Sequence, residues 1–166
     1  IPIKEYSFAY YLKNDLRELC LDKFGIDSFT EKTEEKTIIR PLLIAYGECM
    51  RTFSKGTYWW KMVKQNMEQD FSRGNQVAVI SDCRFFEYDG QDEIDFIKSY
   101  KNNLLFTVKQ DNVGPAHISE ERNMPKIEAA SDAIIQWPYL GNSLDCSINY
   151  CVKSFQLIVE RLGIEI

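Results

Sequence analysis

Residues 77–85 read Val77-Ala78-Val79-Ile80-Ser81-Asp82-Cys83-Arg84-Phe85, and the fold assignment starts from this stretch. Its first four residues are small or β-branched and apolar, which predicts a strand buried on both faces. Ligands of open α/β sheets bind just beyond the carboxyl ends of the strands, where Asp82 and Arg84 follow. An aspartate there can orient a hydrated Mg²⁺, and an arginine can bind a phosphoryl group. The alternative is an aspartate-initiated turn beside a surface arginine.

The composition favours a soluble globular protein. The 166 residues suggest one domain with a sizeable core, and 45% of them are hydrophobic. A net charge of −5 argues against an extended nucleic-acid surface, although a few arginines can still form a local positive pocket. No apolar run approaches the length of a membrane span, and no signal peptide is visible.

The cysteine and histidine content limits which disulfide, metal and catalytic sites the sequence can form. The five cysteines are odd in number and contain no CxxC pair, which favours reduced thiols and a cytoplasmic location. His117 is the single histidine of the sequence, so a zinc site with several histidines is excluded. A Ser-His-Asp triad would have to use His117.

Strand-like and helix-like patterns alternate along the chain, which predicts an α/β fold with a parallel sheet. A polar segment at 110–126 is expected to be irregular and long enough for a lid or a binding loop. Asn142 or Ser143 is expected to cap the last helix, which ends near Gly163. The predicted strands are Tyr6–Ala9, 77–81, 104–108 and 133–137, and the predicted helices run over 12–24, 40–51, 58–71, 89–100 and 144–162, with a solvated loop at 27–36.

Two groups of residues in the predicted helices are candidates for ligand binding. Arg40, Ile44, Gly47 and Arg51 share one helix face, where two arginines beside a glycine would let an anion approach the backbone. The alternative is two ordinary surface arginines and a helix-weakening glycine. The aromatic run Tyr58-Trp59-Trp60 supplies either core residues or a ring that stacks on a base.

Several motifs together resemble the phage-type deoxynucleoside monophosphate kinases, which are P-loop kinases. The resemblance covers most of the chain, and its most specific parts are Ser81-Asp82-Cys83-Arg84-Phe85 and His117-Ile118-Ser119-Glu120. Phosphomevalonate kinase has a similar Ser-Asp-x-Arg element. The remaining matching stretches are Tyr6-Ser7-Phe8-Ala9, Leu12-Lys13, Glu35-Lys36, Arg40-Pro41-Leu42-Leu43, Gly47, Arg51, Tyr58-Trp59 and Glu121.

The resemblance implies a parallel sheet of order 2-3-1-4-5 with helices on both faces. It also implies transfer of a phosphoryl group from ATP to a (deoxy)nucleoside monophosphate with Mg²⁺, in the cytoplasm or, for a phage protein, the host cytoplasm. Asp82 and Arg84 would be catalytic, with Asp82 holding the metal through water and Arg84 binding the acceptor phosphate. Helices at about 40–71 would bind the acceptor through Arg40, Gly47, Arg51 and one of Tyr58, Trp59 and Trp60. The lid at about 110–126 would contain His117, Ser119, Glu120 and Arg122.

The chain departs from this family in its phosphate loop. No G-x-x-x-x-G-K-[ST] motif occurs, and none of the eight glycines precedes Lys-Ser or Lys-Thr. Val108-Lys109-Gln110 stands where the family often has Arg-Pro, which leaves Arg122 as the lid arginine. Either the loop lies outside these residues, or the protein is a non-catalytic relative with a binding or structural role. A phosphomevalonate-type kinase is a third alternative, although Trp59-Trp60 favours a planar acceptor.

The order 2-3-1-4-5 places the phosphate-loop strand at the centre of the sheet. Residues 77–81 and 104–108 would then flank an empty position rather than pair with each other. Unpaired buried backbone groups are costly, so these 166 residues are expected not to fold stably alone. A strand of the same polypeptide, a partner's strand, a homodimer contact or a rearranged sheet would have to fill the position.

Overall fold

A computed structural model describes residues 2–74, 77–110, 113–114, 118–137, 144–161 and 163. The chain is a mixed α/β protein with small parallel sheets, and it forms two compact units, Ile1–Phe96 and Ile97–Ile166. The elements are β1 (Ile3–Tyr6), α1 (Phe8–Phe24), α2 (Thr33–Ser54), α3 (Thr57–Ser72), β2 (Val77–Ile80), α4 (Glu93–Lys98), β3 (Phe106–Gln110), α5 (Ile118–Ala130), β4 (Ala133–Trp137) and α6 (Leu144–Arg161).

The first unit contains the parallel pair β1–β2, in which Ile3 stands opposite Val77 and Tyr6 opposite Ile80. The prediction of a strand over Tyr6–Ala9 is wrong, because the strand ends at Tyr6 and a helix follows. Ser7 caps that helix, since its side chain accepts a hydrogen bond from the Tyr10 N–H at 3.2 Å. The predicted end near Gly25 is confirmed, and Gly25 has the left-handed φ of 65° that closes many helices.

Helix α2 begins at Thr33 rather than at Arg40, so the predicted loop is wrong for its last residues. Glu34 and Glu35 in the first turn stabilise this earlier start, because carboxylates favour the positive end of a helix. Ile39 also extends the apolar face ahead of Pro41, which lies inside the helix. The core between α1 and α2 consists of Leu16, Cys20, Ile26 and Ile39, with Leu42, Leu43 and Tyr46 packed against it.

Strand β2 is not buried on both faces, contrary to the prediction. Val77 and Val79 are exposed on one face, whereas Ala78 and Ile80 on the other face are partly buried. Side chains alternate between the two faces of a strand, so only one face of β2 is covered. Tyr6 of β1, which stands opposite Ile80, is buried, and its hydroxyl donates to Asp70 of α3 at 2.8 Å. Helix α3 agrees with its prediction within one residue at each end, whereas α4 is much shorter than the predicted 89–100.

The second unit contains the parallel pair β3–β4, with Phe106 opposite Ala133. Strand β4 has the predicted bounds, but β3 begins at Phe106, and Val108 is exposed rather than buried. The segment expected to be irregular is helical from Ile118 onward. Lys109 pairs with Glu128 of α5 at 2.9 Å, and the Phe106 ring meets Phe155 of α6 edge-on. Asn142 and Ser143 lie outside the described residues.

Among the described residues, β2 forms its ladder with β1 and β3 forms its ladder with β4, and no ladder joins β2 to β3. The order of the strands across a whole sheet stays a prediction. None of the cysteines in the described part of the chain forms a disulfide. In the part of the chain that the structure covers, no helix has the length and the apolar run needed to cross a membrane.

Candidate functional site

The candidate site lies in the first unit, at the carboxyl ends of β1 and β2. Asp82 follows β2, and its carboxylate accepts the Ser7 hydroxyl at 2.7 Å and the N–H groups of Phe8 at 2.8 Å and Ala9 at 2.7 Å. These donors begin α1 directly after β1. A carboxylate at a helix N-terminus is stabilised by the helix dipole. Asp82 therefore ties the end of β2 to the start of α1.

The residues from Ser81 to Asp92, here called the Arg84 loop, connect β2 to α4. Glu93 at the start of α4 accepts the N–H of Arg84 at 2.8 Å and that of Phe85 at 3.1 Å through its Oε2. Only 2% of Glu93 is exposed, whereas the Arg84 residue is exposed. The peptide groups on both sides of the Arg84 Cα are thus held in place, and its side chain extends from a fixed backbone.

Arg51 of α2 is buried against this loop, with 5% of its side chain exposed. Its guanidinium bonds to Asp92 in a two-pronged arrangement, from Nη1 to Oδ1 at 3.2 Å and from Nη2 to Oδ2 at 3.0 Å. Nη2 also donates to Glu87 at 3.3 Å, and Nη1 lies 3.5 Å from Glu93 Oε1. The guanidinium carbon stands 3.6 Å from the centre of the Phe85 ring, a close cation–π contact.

Asp92 is fully buried, and its carboxylate accepts hydrogen bonds from backbone N–H groups at the end of the Arg84 loop. Its Oδ2 accepts the N–H of Glu87 at 2.8 Å and that of Tyr88 at 3.2 Å, in addition to the Arg51 bond. Its Oδ1 accepts the N–H of Glu93 at 2.9 Å. The Asp92 carboxylate is therefore both the counter-ion of Arg51 and a hub for loop backbone groups, which compensates its removal from water.

The pKa values of the two neighbouring acids, Asp92 and Glu93, are shifted in opposite directions. Burial raises the pKa of Glu93 to about 8, against the opposing effects of the Arg84 N–H and the Arg51 charge. Burial also acts to raise the pKa of Asp92, but its hydrogen bonds to Arg51 and to backbone N–H groups outweigh burial and leave that pKa lowered. Near neutral pH the cluster thus holds one ionised pair, Arg51 and Asp92, beside a mostly neutral Glu93.

Cys83 lies in the same loop and is not a candidate nucleophile. Burial raises the pKa of its thiol, and the nearby carboxylates of Glu93, Asp82 and Asp92 raise it further. The reactive form of cysteine is the thiolate, and this environment disfavours it.

The predicted binding face of α2, which carries Arg40, Ile44, Gly47 and Arg51, runs from the surface to the interior. Arg40 is exposed and Gly47 is buried, with its Cα side facing Leu12 of α1, where an added Cβ would lie 3.6 Å from the leucine methyls. A Cβ at that distance would be in ordinary van der Waals contact, so alanine would also fit at this position. At the inner end of this face, Arg51 is surrounded by carboxylates. Joint binding of one ligand by Arg40 and Arg51 stays a prediction.

The aromatic run at the start of α3 divides between core and partly buried positions. Trp59 is 4% exposed and meets the Tyr58 ring edge-on with 4.7 Å between centroids. Trp60 stacks on Phe96 at 5.2 Å, and its indole N–H donates to the Gln91 carbonyl at 2.9 Å. The Tyr58 hydroxyl bonds to Asp15 at 3.4 Å. Trp59 is therefore a core residue, while Tyr58 and Trp60 retain partly accessible rings.

The predicted lid residues belong to the second unit. His117 lies outside the described residues, and Ser119 lies in α5. Glu120 is half-buried and Arg122 is exposed on the same helix. Within the residues that the structure describes, no three His, Cys, Asp or Glu side chains gather as a metal site.

Sequence reasoning missed the acidic pair Asp92-Glu93 and the partnership of Ser7 with Asp82. An acidic pair directly before the apolar Ile94 is a signal for a helix start, because acids are favoured in the first turn. That signal places the pair on a helix but does not identify Arg51 as its partner. The Ser7 position carried a second signal, since serine is a preferred helix cap.

Comparisons with known proteins return no relatives. The chain matches no protein-family model, no curated protein and no solved structure.

Proposed function

We propose that this protein transfers the terminal phosphoryl group of ATP to a (deoxy)nucleoside monophosphate, and that Arg84 binds the acceptor phosphate. The observation that carries the proposal is an exposed arginine on a loop whose backbone is held by buried carboxylates at the carboxyl ends of two parallel strands. Phosphoryl transfer asks a protein mainly for positioning and charge neutralisation, and a pre-organised arginine supplies both.

The strand pairing is compatible with this proposal. In the order 2-3-1-4-5, the second strand pairs with the third and the fourth with the fifth, all parallel. If the phosphate-loop strand is strand 1 of that order, β1 to β4 would be its strands 2 to 5. The parallel pairs β1–β2 and β3–β4 are compatible with that assignment. Since the 166 residues contain no G-x-x-x-x-G-K-[ST] motif, the proposal requires the ATP phosphates to be held by residues other than these.

Asp82 retains capacity for an indirect role at Mg²⁺. A carboxylate offers about four lone-pair sites, and Asp82 uses one on Oδ1 and two on Oδ2. The remaining site on Oδ1 can accept a metal-bound water. The metal would neutralise charge on the transferring phosphoryl group, while Asp82 would orient its water shell.

A non-catalytic relative is the second candidate function. It is favoured by the extent to which Asp82 and Arg51 already serve the fold, since their polar atoms bind α1 and the Arg84 loop. Such a protein would bind the monophosphate without turning it over.

Calorimetric titration with dAMP, dCMP, dGMP and dTMP tests the proposed acceptor site. The protein is expressed from its complete reading frame and compared with Arg84→Ala and with Arg73→Ala, an exposed arginine of the same unit. Loss of a charge-assisted hydrogen bond should weaken binding of the preferred nucleotide by about 1.5–3 kcal/mol in Arg84→Ala. Arg73→Ala should bind like the wild type. Absence of binding, or equal affinity in all three proteins, would contradict the proposal.

An activity assay separates the two candidate functions. Incubation of the same protein with ATP, Mg²⁺ and the preferred monophosphate should yield the nucleoside diphosphate. Tight binding without any diphosphate would favour the non-catalytic relative.

A further inference from the structure

The backbone at Arg84 is hydrogen-bonded to the side chain of Glu93, a residue that the sequence motifs do not identify. Glu93 Oε2 accepts the N–H groups of Arg84 and Phe85 at 2.8 and 3.1 Å, and the carboxylate is almost fully buried. Two N–H groups that donate to one oxygen fix the two peptide groups on either side of the Arg84 Cα. The direction of the Arg84 Cα–Cβ bond follows from the orientation of these two groups.

The Glu93 carboxylate is itself held by the Arg51–Asp92 ion pair. Arg51 Nη1 lies 3.5 Å from Glu93 Oε1, and Asp92 Oδ1 accepts the Glu93 N–H at 2.9 Å. The Arg51 guanidinium also covers the Phe85 ring. Arg51 and Asp92 therefore hold the Glu93 carboxylate in position, and Arg51 also holds Phe85, the residue after Arg84.

We propose that Glu93 is a positioning residue for Arg84, and that Arg51 acts on the acceptor phosphate through this arrangement rather than by contact. The inference rests on the proposed function, because it concerns the nucleotide that Arg84 binds. Arginine binds phosphate with a planar, directional fork, so a displaced backbone aims the fork away from the oxygens. In catalysis, a misplacement of about 1 Å can lower the rate by about a hundredfold, which shows how strongly such a site depends on the position of its groups.

The test uses Glu93→Asp and Glu93→Gln in the protein expressed from its complete reading frame. Shortening the side chain by one methylene withdraws the carboxyl group by about 1.5 Å from the two N–H groups while keeping the same functional group. Glutamine keeps the length and one acceptor oxygen. Affinity is measured for the preferred one of dAMP, dCMP, dGMP and dTMP and for the matching deoxynucleoside, which lacks the phosphate. Glu68→Asp, an exposed site on α3, is the matched control.

The expected result is a loss of about tenfold in nucleotide affinity for Glu93→Asp, with recovery close to wild type in Glu93→Gln and no change in Glu68→Asp. Deoxynucleoside affinity should stay unchanged in all variants. In an Arg84→Ala background, Glu93→Asp should have no further effect, because a residue acting through Arg84 has nothing left to position. If Glu93→Asp does not fold, Arg51→Lys tests the second half of the proposal, because lysine keeps the buried positive charge but cannot form the two-pronged bond to Asp92.

Three results would overturn the inference. Unchanged nucleotide affinity in Glu93→Asp would mean that Glu93 does not position Arg84. A tenfold loss that persists in the Arg84→Ala background would mean that the mutated residue acts on the ligand or on the whole fold, while the proposed function would stand. Wild-type protein that binds none of the four nucleotides would overturn both the proposed function and this inference.

Discussion

Arg51 and Asp92 face each other as a two-pronged ion pair closed to solvent, with N–O distances of 3.2 and 3.0 Å. The two residues are 41 positions apart in the sequence. Their contact joins α2 to the Arg84 loop, so the geometry of the candidate phosphate-binding arginine depends on a helix distant along the chain. The energetic and functional roles of this arrangement can be tested separately.

Replacement of Arg51 by methionine should strongly destabilise the protein. The substitution leaves the buried carboxylate of Asp92 without its counter-ion, and breaking a buried pair in this way costs about 3–5 kcal/mol. Denaturant unfolding measures the loss. Arg40→Met, an exposed position on the same helix, should change stability by less than about 0.5 kcal/mol. Similar effects in the two variants would show that the pair does not hold the fold.

The unfolding free energy should carry a pH dependence that originates from Glu93. The pKa of this acid rises from 4.5 to about 8 on folding, mainly because of burial. Between these two pH values the folded state binds more protons than the unfolded state, so stability falls as the pH rises. The groups facing Glu93 are Arg51, Asp92, Asp82 and Cys83.

Glu93→Gln isolates this contribution, because glutamine does not titrate. Unfolding curves of both proteins at pH 5, 6, 7 and 8 should show the wild type losing stability relative to the variant by a few kcal/mol across the series. Parallel pH profiles would mean that Glu93 ionises in the folded protein much as it does in the unfolded chain.

Asp82→Ala should destabilise the first unit by about 1–2 kcal/mol, the usual cost of losing a helix cap. The variant loses the acceptor of the Phe8 and Ala9 N–H groups and the favourable negative charge at the start of α1. Ser81→Ala is the matched control, since Ser81 donates to the exposed Glu5 at 2.7 Å. A loss in Asp82→Ala no larger than in the control would argue that the cap is energetically neutral.

Gly56→Ala should be more destabilising than Gly90→Ala. Both glycines have positive φ, 83° and 70°, so alanine is strained at either position. Only at Gly56 would the new Cβ also lie 3.0 Å from the Tyr88 ring and 3.1 Å from Asp92 Oδ1. Thermal unfolding of the two variants measures the difference. An equal loss would show that the Arg84 loop yields to the added methyl group.

The sequence was most informative where structure depends on neighbouring residues. The end of α1 at Gly25, the bounds of β4 and the transition from β2 into Ser81-Asp82 follow from apolar periodicity and turn chemistry. The start of α2 was placed too late because Arg40-Pro41 suggests a first turn, whereas the acidic residues of an earlier turn begin the helix. Burial of β2 on both faces was also overestimated from composition.

Local sequence alone predicts that a strand beginning at Val77 ends before a polar loop that carries Asp82 and Arg84, because the properties of adjacent residues set local backbone conformation. Tertiary packing, in contrast, pairs Arg51 with Asp92, brings Glu93 to the backbone of Arg84 and buries Trp59. A helical period aligns residues along one face of a helix. It does not specify which distant segment packs on that face, and the energy of a buried charge depends on the partner that packing brings to it.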